Sequence, residues 1–255
     1  VQGEALTKAK ELFEREAEKL DELHHPQIPR VYDYFEEGNA LYLVEAFIEG
    51  ETLQKGYSME GQFSEEKVRE LLEDILPILT YLHGNNLIHR DIKPDNIMRR
   101  RQDGKLILID FGGVKEQTTT IGTGLYTPGY AAHEHAIGQP AAMSDIYSLG
   151  ATCVRLLTGC FPPASNNQTD LVYDGLEQSW TWKEVLREQN RSISPQLAQV
   201  LDKMLEHKAS DRYQSAEEVL QGLSQSRVTL APPVTPVQPT VVQNPPPATV
   251  VSGKG

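Results

Sequence analysis

The first part of the chain alternates apolar residues with Lys and Glu at helical spacing. Between residues 6 and 23 this pattern predicts an amphipathic surface helix that ends near His24-His25-Pro26. Two runs rich in β-branched and aromatic residues follow, Val31 to Phe35 and Ala40 to Val44. Because Glu37-Gly38-Asn39 between them supplies turn residues, the two runs predict a β-hairpin.

The middle of the chain predicts one long helix and a second hairpin. Ser64 can cap a helix whose apolar face runs from Val68 to Leu82. Acidic residues in its first turn stabilise the helix, because they lie at the positive end of its dipole. After a polar loop, residues 97–99 and 105–109 read as strands around the turn Asp103-Gly104.

The carboxyl half is predicted to be almost entirely helical up to a proline-rich end. Helical patterns cover 144–158 and about 181–189, and Ser194-Pro195 and Ser215 with Glu218 open two more helices. From residue 227 the chain is dense in Pro, Val and Thr without periodicity, which predicts an extended, disordered linker over 227–255. Such a linker leaves room for a further domain beyond it.

Composition narrows the functional classes. The 255 residues are 39% hydrophobic, and the formal net charge of −12 argues against general affinity for nucleic acid or anionic lipid. No apolar run approaches the ~20 residues of a membrane helix, so we expect no membrane segment in this chain and a cytoplasmic protein. Cys153 and Cys160 lack metal-type spacing and are predicted to be reduced, buried thiols.

The loop "HRDIKPDN", residues 89–96, concentrates polar side chains ahead of the "DFG" of residues 110–112. Asp91 and Asp110 supply carboxylates, Asn96 supplies a neutral oxygen and Lys93 supplies a compact cation. Oxygen ligands of this kind suit Mg²⁺, which proteins commonly bind together with substrate phosphates. A carboxylate that the metal does not use can accept a hydroxyl proton. These residues predict a site for a metal-bound phosphate compound.

"HRDIKPDN" followed by "DFG" resembles the catalytic core of eukaryotic-like bacterial Ser/Thr protein kinases. The resemblance implies an α+β, protein kinase-like fold, here mostly the helical C-lobe with a remnant of the N-lobe that comprises the αC helix and a β-hairpin. It also implies a Ser/Thr protein kinase that transfers the γ-phosphate of ATP to Ser or Thr hydroxyls of protein substrates.

The same resemblance implies roles for individual residues. Asp91 would orient the acceptor hydroxyl and accept its proton, Lys93 would steady the transferred phosphoryl group, and Asn96 and Asp110 would hold Mg²⁺. Arg90 would pair with a regulatory phosphate on the activation segment. The candidate sites for that phosphate are Thr118, Thr119, Thr120 and Thr123.

Two further stretches resemble the nucleotide-binding parts of kinases. "LFEREAEKLDELHHPQIP" is similar to the αC helix, which implies Glu16 as the partner of the ATP-binding lysine, with Glu14 and Glu18 as alternatives on the same helix. "LYLVEAFIEGETL" is similar to the strand and hinge that border adenine, where backbone groups of Ala46 and Ile48 would bind the base.

Further stretches resemble the parts of kinases that contact the protein substrate and support the catalytic loop. Glu45 falls at the gatekeeper position, where a half-buried carboxylate needs a partner or a raised pKa. "TPGYAAHE" resembles the end of the activation segment, so Thr127 would face the substrate hydroxyl. Asp145 in "SDIYSLG" would brace the catalytic loop, and Glu134 would pair with Arg212.

The sequence departs from the family pattern before the αC helix, where kinases carry a Gly-rich loop and a lysine strand. We therefore expect an N-terminally truncated kinase with an N-lobe remnant at 1–45, hinge and C-lobe at 46–226, and the linker at 227–255. The parent protein is expected to be active, and the chain itself weakly active or inactive. The alternative is a pseudokinase-like protein-binding module without catalysis.

Overall fold

The computed structural model describes residues 2–38, 40–111, 115–116, 127–164 and 168–228. At residues 2–6, 8, 9, 12, 16, 115, 116 and 226–228 it describes the backbone only. The predicted regulatory sites Thr118, Thr119, Thr120 and Thr123 lie outside the described residues, as does nearly all of the predicted linker.

The amino-terminal part is a helix packed on a hairpin. Helix α1 (Gln2–Asp21) contacts the antiparallel strands β1 (Val31–Glu37) and β2 (Ala40–Glu45), which pair from Glu37 with Ala40 to Val31 with Glu45. Leu20 of α1 and Val31 of β1 are buried in the main core. The predicted helix and hairpin are therefore both present.

A short strand and a helix that the sequence pattern did not predict follow the hairpin. Strand β3 (Gly50–Thr52) leads into helix α2 (Leu53–Glu60), whose first turn is capped by Thr52 Oγ1 accepting from the amide of Lys55. Helix α3 (Glu65–Gly84) then begins as predicted, with Ser64 Oγ accepting from the amide of Lys67 at 3.3 Å.

Small antiparallel sheets frame the polar loop. The strands are β4 (Leu87–Ile88), β5 (Ile97–Arg100), β6 (Leu106–Leu108) and β7 (Lys115–Glu116). Strand β5 lies between β3 and β6, and β4 pairs with β7. The predicted hairpin around Asp103-Gly104 is present, and Gly104 adopts the positive φ of +72° that its turn requires.

The carboxyl half consists mainly of helices around one buried helix. Its elements are α4 (His133–Ala136), α5 (Ala142–Thr158), β8 (Tyr173–Asp174), β9 (Ser179–Trp180), α6 (Trp182–Glu188), α7 (Pro195–Met204) and α8 (Ala216–Val228). Helix α5 is buried from Ser144 to Thr158 and contacts α3, α6 and α7. Because α5 also buries polar and charged side chains, these must find partners inside the protein.

A buried ion pair fastens α4 to the segment before α8. Arg212 donates to both carboxylate oxygens of Glu134, at 2.5 and 3.1 Å, and also to the backbone carbonyls of Glu206 and His207. The Arg212 side chain is completely buried. The predicted pairing of Glu134 with Arg212 is thus present. The buried guanidinium of Arg212 has both a carboxylate and backbone carbonyls as hydrogen-bond acceptors.

The two cysteines are free and differ in burial. Cys153 is fully buried on α5, and burial raises the pKa of its thiol. Cys160 is only partly buried, so the prediction of two buried thiols holds for Cys153 alone.

The α+β character and the helical second half agree with the predicted fold class. Among the described helices, none combines the length and the apolar character needed to cross a bilayer. The boundaries predicted after residues 45 and 226 stay predictions.

Candidate active site

The polar loop 89–96 connects β4 to β5 and is anchored by a buried carboxylate. Asp145, in the first turn of α5, accepts from the backbone amides of His89 at 2.9 Å and Arg90 at 2.8 Å. It also bonds Nε2 of His83 at 2.9 Å. Burial alone raises the pKa of Asp145, but the bond and charge of His83 and the loop amides lower it overall, so the carboxylate is held ionised.

This anchoring maintains an unusual backbone conformation at Arg90. Its φ of +72° lies in the left-handed region, which costs a non-glycine residue of order 1–3 kcal/mol and persists where surrounding contacts enforce it. Two consecutive amides bound to one carboxylate provide that constraint. The result is a tight bend that directs Asp91 away from the core.

Three polar side chains converge on Asp91. Lys93 Nζ lies 2.6 Å from Asp91 Oδ2 and donates to Thr127 Oγ1 at 2.8 Å. Thr127 Oγ1 donates to Asp91 Oδ1 at 2.6 Å, and Asn96 Nδ2 donates to both the carbonyl and Oδ2 of Asp91. Partial burial raises the pKa of Asp91, but hydrogen bonds from Lys93, Thr127 and Asn96 lower it overall. Asp91 is therefore ionised at neutral pH.

Asp110 follows β6 behind this loop. Its φ of +62° is again left-handed, a conformation that Asp tolerates better than most residues. The amide of Ile109 donates to the carbonyl of Asn96 at 2.9 Å, which binds the two segments together. Phe111 is buried with its ring 5.0 Å from that of His89. The two loops predicted to share the site are thus neighbours.

The oxygen donors of these loops fit a Mg²⁺ ion. Asn96 uses its Nδ2 on Asp91, so its Oδ1 is the atom it can offer as a ligand, and Asp110 offers a carboxylate. Mg²⁺ commonly takes one or two such protein ligands and completes its shell with water and substrate phosphates. The assignment of Asn96 and Asp110 as metal ligands stays a prediction.

The segment after β2 carries the residues predicted to border adenine. The amide of Ala46 donates to the carbonyl of Arg30 at 2.8 Å, which leaves the Ala46 carbonyl as its candidate for binding a base. Phe47 is 91% exposed, whereas Ala46 and Ile48 are half-buried. Glu45 has a buried Oε1 with no partner among the described residues, and burial, followed by the charge of Asp110, raises its pKa.

Comparison with known proteins shows the family to which the chain belongs. A family model for the protein kinase domain matches residues 2–223. The chain belongs to the protein kinase family. Among its relatives in Synechocystis sp., serine/threonine-protein kinase C is 43% identical over 84% of this chain and 40% of that protein. Serine/threonine-protein kinase B is 42% identical over 84% of this chain and 38% of its own length. The chain therefore spans about two fifths of these relatives.

Solved structures show the same fold. The kinase domain of Mycobacterium tuberculosis PknI matches with a TM-score of 0.66 at 23% identity, over 85% of this chain and 79% of that one. Rad53 1–466 in complex with AMP-PNP matches with a TM-score of 0.65 at 27% identity, over 82% and 53%. The prediction of a eukaryotic-like bacterial Ser/Thr protein kinase with a kinase-like fold is confirmed.

The roles predicted for two residues, Glu16 and Arg90, stay untested. Glu16 lies within α1, but its side chain is outside the described set, so its role as a lysine partner stays a prediction. Arg90 is largely buried beneath the loop, and its pairing with a regulatory phosphate is equally untested.

The sequence did not predict a second group of residues, which form a pocket beside Thr127. Next to Thr127 lies a pocket of about 1110 Å³ whose walls include Tyr147, Asp170, Tyr173 and Trp180. Beneath it, Arg155 of α5 is completely buried. The available signal was an arginine in the middle of an otherwise apolar helical pattern.

Proposed function

We propose that the protein is a kinase that transfers the γ-phosphoryl group of ATP to Ser or Thr hydroxyls of protein substrates. The observation that carries this proposal is the hydroxyl of Thr127, which donates to Asp91 Oδ1 at 2.6 Å while accepting from Lys93 at 2.8 Å. An acceptor hydroxyl needs the same two partners. A carboxylate must orient its proton, and a cation must lie beside the oxygen.

Asp91 acts mainly by orientation. Its lowered pKa makes it a weak base, so the hydroxyl proton moves to it only as the acceptor oxygen forms its bond to the γ-phosphorus. The bond from that phosphorus to the bridging oxygen breaks in the same step, and ADP leaves with the electron pair. Lys93 Nζ, already 2.6 Å from Asp91, offsets negative charge at the point of transfer.

Asn96 and Asp110 are proposed to hold the Mg²⁺ ion that neutralises the triphosphate of ATP. Backbone groups of Ala46 and Ile48 are proposed to bind adenine. Nucleotide binding at this site is supported by the related fold of Rad53, which is described in complex with AMP-PNP. Glu16 is proposed to pair with a lysine that contacts the phosphates.

The test is phosphate transfer by the full-length gene product. Incubated with labelled ATP, Mg²⁺ and a mixture of unfolded acceptor proteins, it should label Ser and Thr but not Tyr. Asp110→Asn should raise the Mg²⁺ concentration needed for half-maximal rate, whereas the exposed control Asp103→Asn should not. Binding of ATP without any transfer would overturn the proposal and favour a protein-binding module.

A further inference from the structure

Arg155 is a charged side chain in the centre of the buried helix α5. Its side chain has no solvent exposure. Burying a guanidinium is strongly unfavourable unless its donors are satisfied by well-placed partners. The identity of those partners therefore shows which segments Arg155 holds together.

The guanidinium bonds three separate segments. Nε and Nη2 donate to the carbonyl of Gly129 at 3.0 and 2.9 Å, and Nη1 donates to the carbonyl of Cys160 at 3.0 Å. Nη2 and Nη1 meet the two carboxylate oxygens of Asp170 at 2.6 and 3.3 Å, in a forked pair. The guanidinium carbon also lies 5.3 Å from the ring of Tyr130 and 5.4 Å from that of Trp180.

The first of these segments carries the hydroxyl of the candidate active site. Gly129 follows Thr127 by two residues, and the amides of Tyr130 and Ala131 both donate to the Thr127 carbonyl at 3.2 Å, closing a turn. Gly129 has a φ of +84°, and a Cβ there would lie 2.9 Å from Arg155 Nη2. The backbone of the turn therefore rests directly on the guanidinium.

The other contacts belong to the pocket beside Thr127. Asp170 and Trp180 line that pocket, together with Tyr147 and Tyr173. Trp180 Nε1 donates to Tyr147 Oη at 3.1 Å, so the wall is itself joined to α5. Arg155 thus joins the turn that carries Thr127 to the wall of a pocket that Thr127 itself also lines.

We propose that Arg155 is a positioning residue for the acceptor side of the reaction. Through the Gly129 carbonyl it holds the turn 127–130 so that Thr127 Oγ1 lies between Asp91 and Lys93, and through Asp170 it ties that turn to the pocket wall. The inference rests on the proposed phosphotransfer to protein hydroxyls. The described contacts of the Arg155 guanidinium are with residues 129, 130, 160, 170 and 180 and not with residues 46–48, 89–96 or 110, so we expect nucleotide binding to be independent of it.

Steady-state kinetics of the full-length gene product test the proposal. Arg155→Met should raise KM for the acceptor and thereby lower kcat/KM for the acceptor by up to about 100-fold, the loss expected when a reacting group is misplaced by about 1 Å. KM for ATP should stay unchanged. The matched control is Arg187→Met, which removes an arginine that is 71% exposed and pairs with Glu184 on the surface.

A double variant separates positioning from folding. Arg155→Met alone leaves Asp170 without its cation, which can destabilise the protein. Replacing both members of a buried ion pair by apolar residues is often neutral. Arg155→Met with Asp170→Leu should therefore melt at a higher temperature than Arg155→Met alone, while its acceptor KM stays raised. A wild-type acceptor KM in this variant, or a rise in KM for ATP of the same size, would overturn the proposal.

Amide hydrogen exchange tests the positioning role of Arg155 without depending on phosphotransfer activity. In the double variant, the amides of Tyr130 and Ala131 should exchange faster than in wild type, and those of helix α3 should not. If the wild-type protein transfers no phosphate, the proposed function fails, and exchange alone decides the positioning role. Unchanged exchange at residues 130 and 131 would then contradict it.

Discussion

The anchoring of the catalytic loop by Asp145 leads to a quantitative prediction for Asp145→Asn. The substitution keeps the size of the side chain and removes its charge. The asparagine oxygen can still accept at one side, but its NH₂ group must face at least one of the donors that the carboxylate now satisfies. Those donors are the amides of His89 and Arg90 and Nε2 of His83, all within 2.9 Å.

The cost follows from the hydrogen bonds that the substitution alters. Leaving one buried amide unpaired costs about 1–3 kcal/mol, and hydrogen bonds to an ionised acceptor contribute about 1 kcal/mol more than bonds to a neutral one. Since one of these hydrogen bonds breaks and the other two weaken by about 1 kcal/mol each, the free energy of unfolding should fall by about 3–5 kcal/mol. Arg90, whose backbone is strained, should be the first residue to relax.

Urea denaturation of wild type and variant at pH 7 provides the measurement. Asp202→Asn is the control because it also removes one aspartate charge, but from an exposed pair with Lys183, and should cost less than about 1 kcal/mol. Because the pKa of Asp145 is lowered from its ordinary 3.8, its contribution is complete above that pH and is lost as the pH falls through the lower folded value. A loss at pH 7 no larger than that of the control would refute the reasoning.

Three further outcomes are expected. Glu45→Gln should raise the free energy of unfolding by about 1 kcal/mol at pH 7, because burial and the charge of Asp110 disfavour the ionised carboxylate and the amide carries no charge. The pKa of Glu45 is raised above its ordinary 4.5, so the wild type loses stability as the pH rises from 4.5 through the higher pKa of the folded state. Melting curves should therefore show that Glu45→Gln is more stable than wild type at pH 7 but not below pH 4.5. An equal gain at both pH values would contradict this. Thr127→Val should lower kcat about tenfold, the equivalent of one hydrogen bond, whereas Thr127→Ser should retain it; equal rates would show that the hydroxyl is irrelevant. Glu134→Gln should cost about 3 kcal/mol in urea denaturation by leaving Arg212 buried and poorly paired, against less than about 1 kcal/mol for the exposed Glu184→Gln, and similar losses would contradict the assigned burial.

Features that depend on neighbouring residues were predictable from the sequence. The hairpin of residues 31–45 follows from alternating β-forming residues around a turn, and helix α3 begins where Ser64 can accept from an amide three residues on. Helix α2 was missed because Gly56 and Ser58 weaken its helical pattern, whereas Thr52 provides its cap and Leu53 its core contact. Caps and tertiary contacts outweighed propensity there.

The candidate site depends on contacts between residues far apart in the chain. Thr127 reaches Asp91 across 36 positions, which no local periodicity indicates. Resemblance to a known family supplied that expectation, and the fold then placed the hydroxyl beside the carboxylate. Lys93 and Asn96, in contrast, were predictable from the polar loop itself.

The partners of Arg155 could not be predicted from the sequence pattern. Its partners Gly129, Cys160 and Asp170 lie on three segments whose arrangement depends on the packing of α5 in the core. A charge in an apolar helix indicates that compensating partners exist, but the sequence does not say which residues they are.

The central claim is that Asp91 orients an acceptor hydroxyl for phosphoryl transfer. Its most direct test is the single-turnover rate of transfer from Mg²⁺-bound ATP by the full-length gene product carrying Asp91→Asn, with Asp95→Asn as the matched control, since Asp95 lies exposed in the same loop. We predict a loss of about 10²–10⁴-fold for Asp91→Asn and a wild-type rate for Asp95→Asn. Equal rates for both variants would contradict the account.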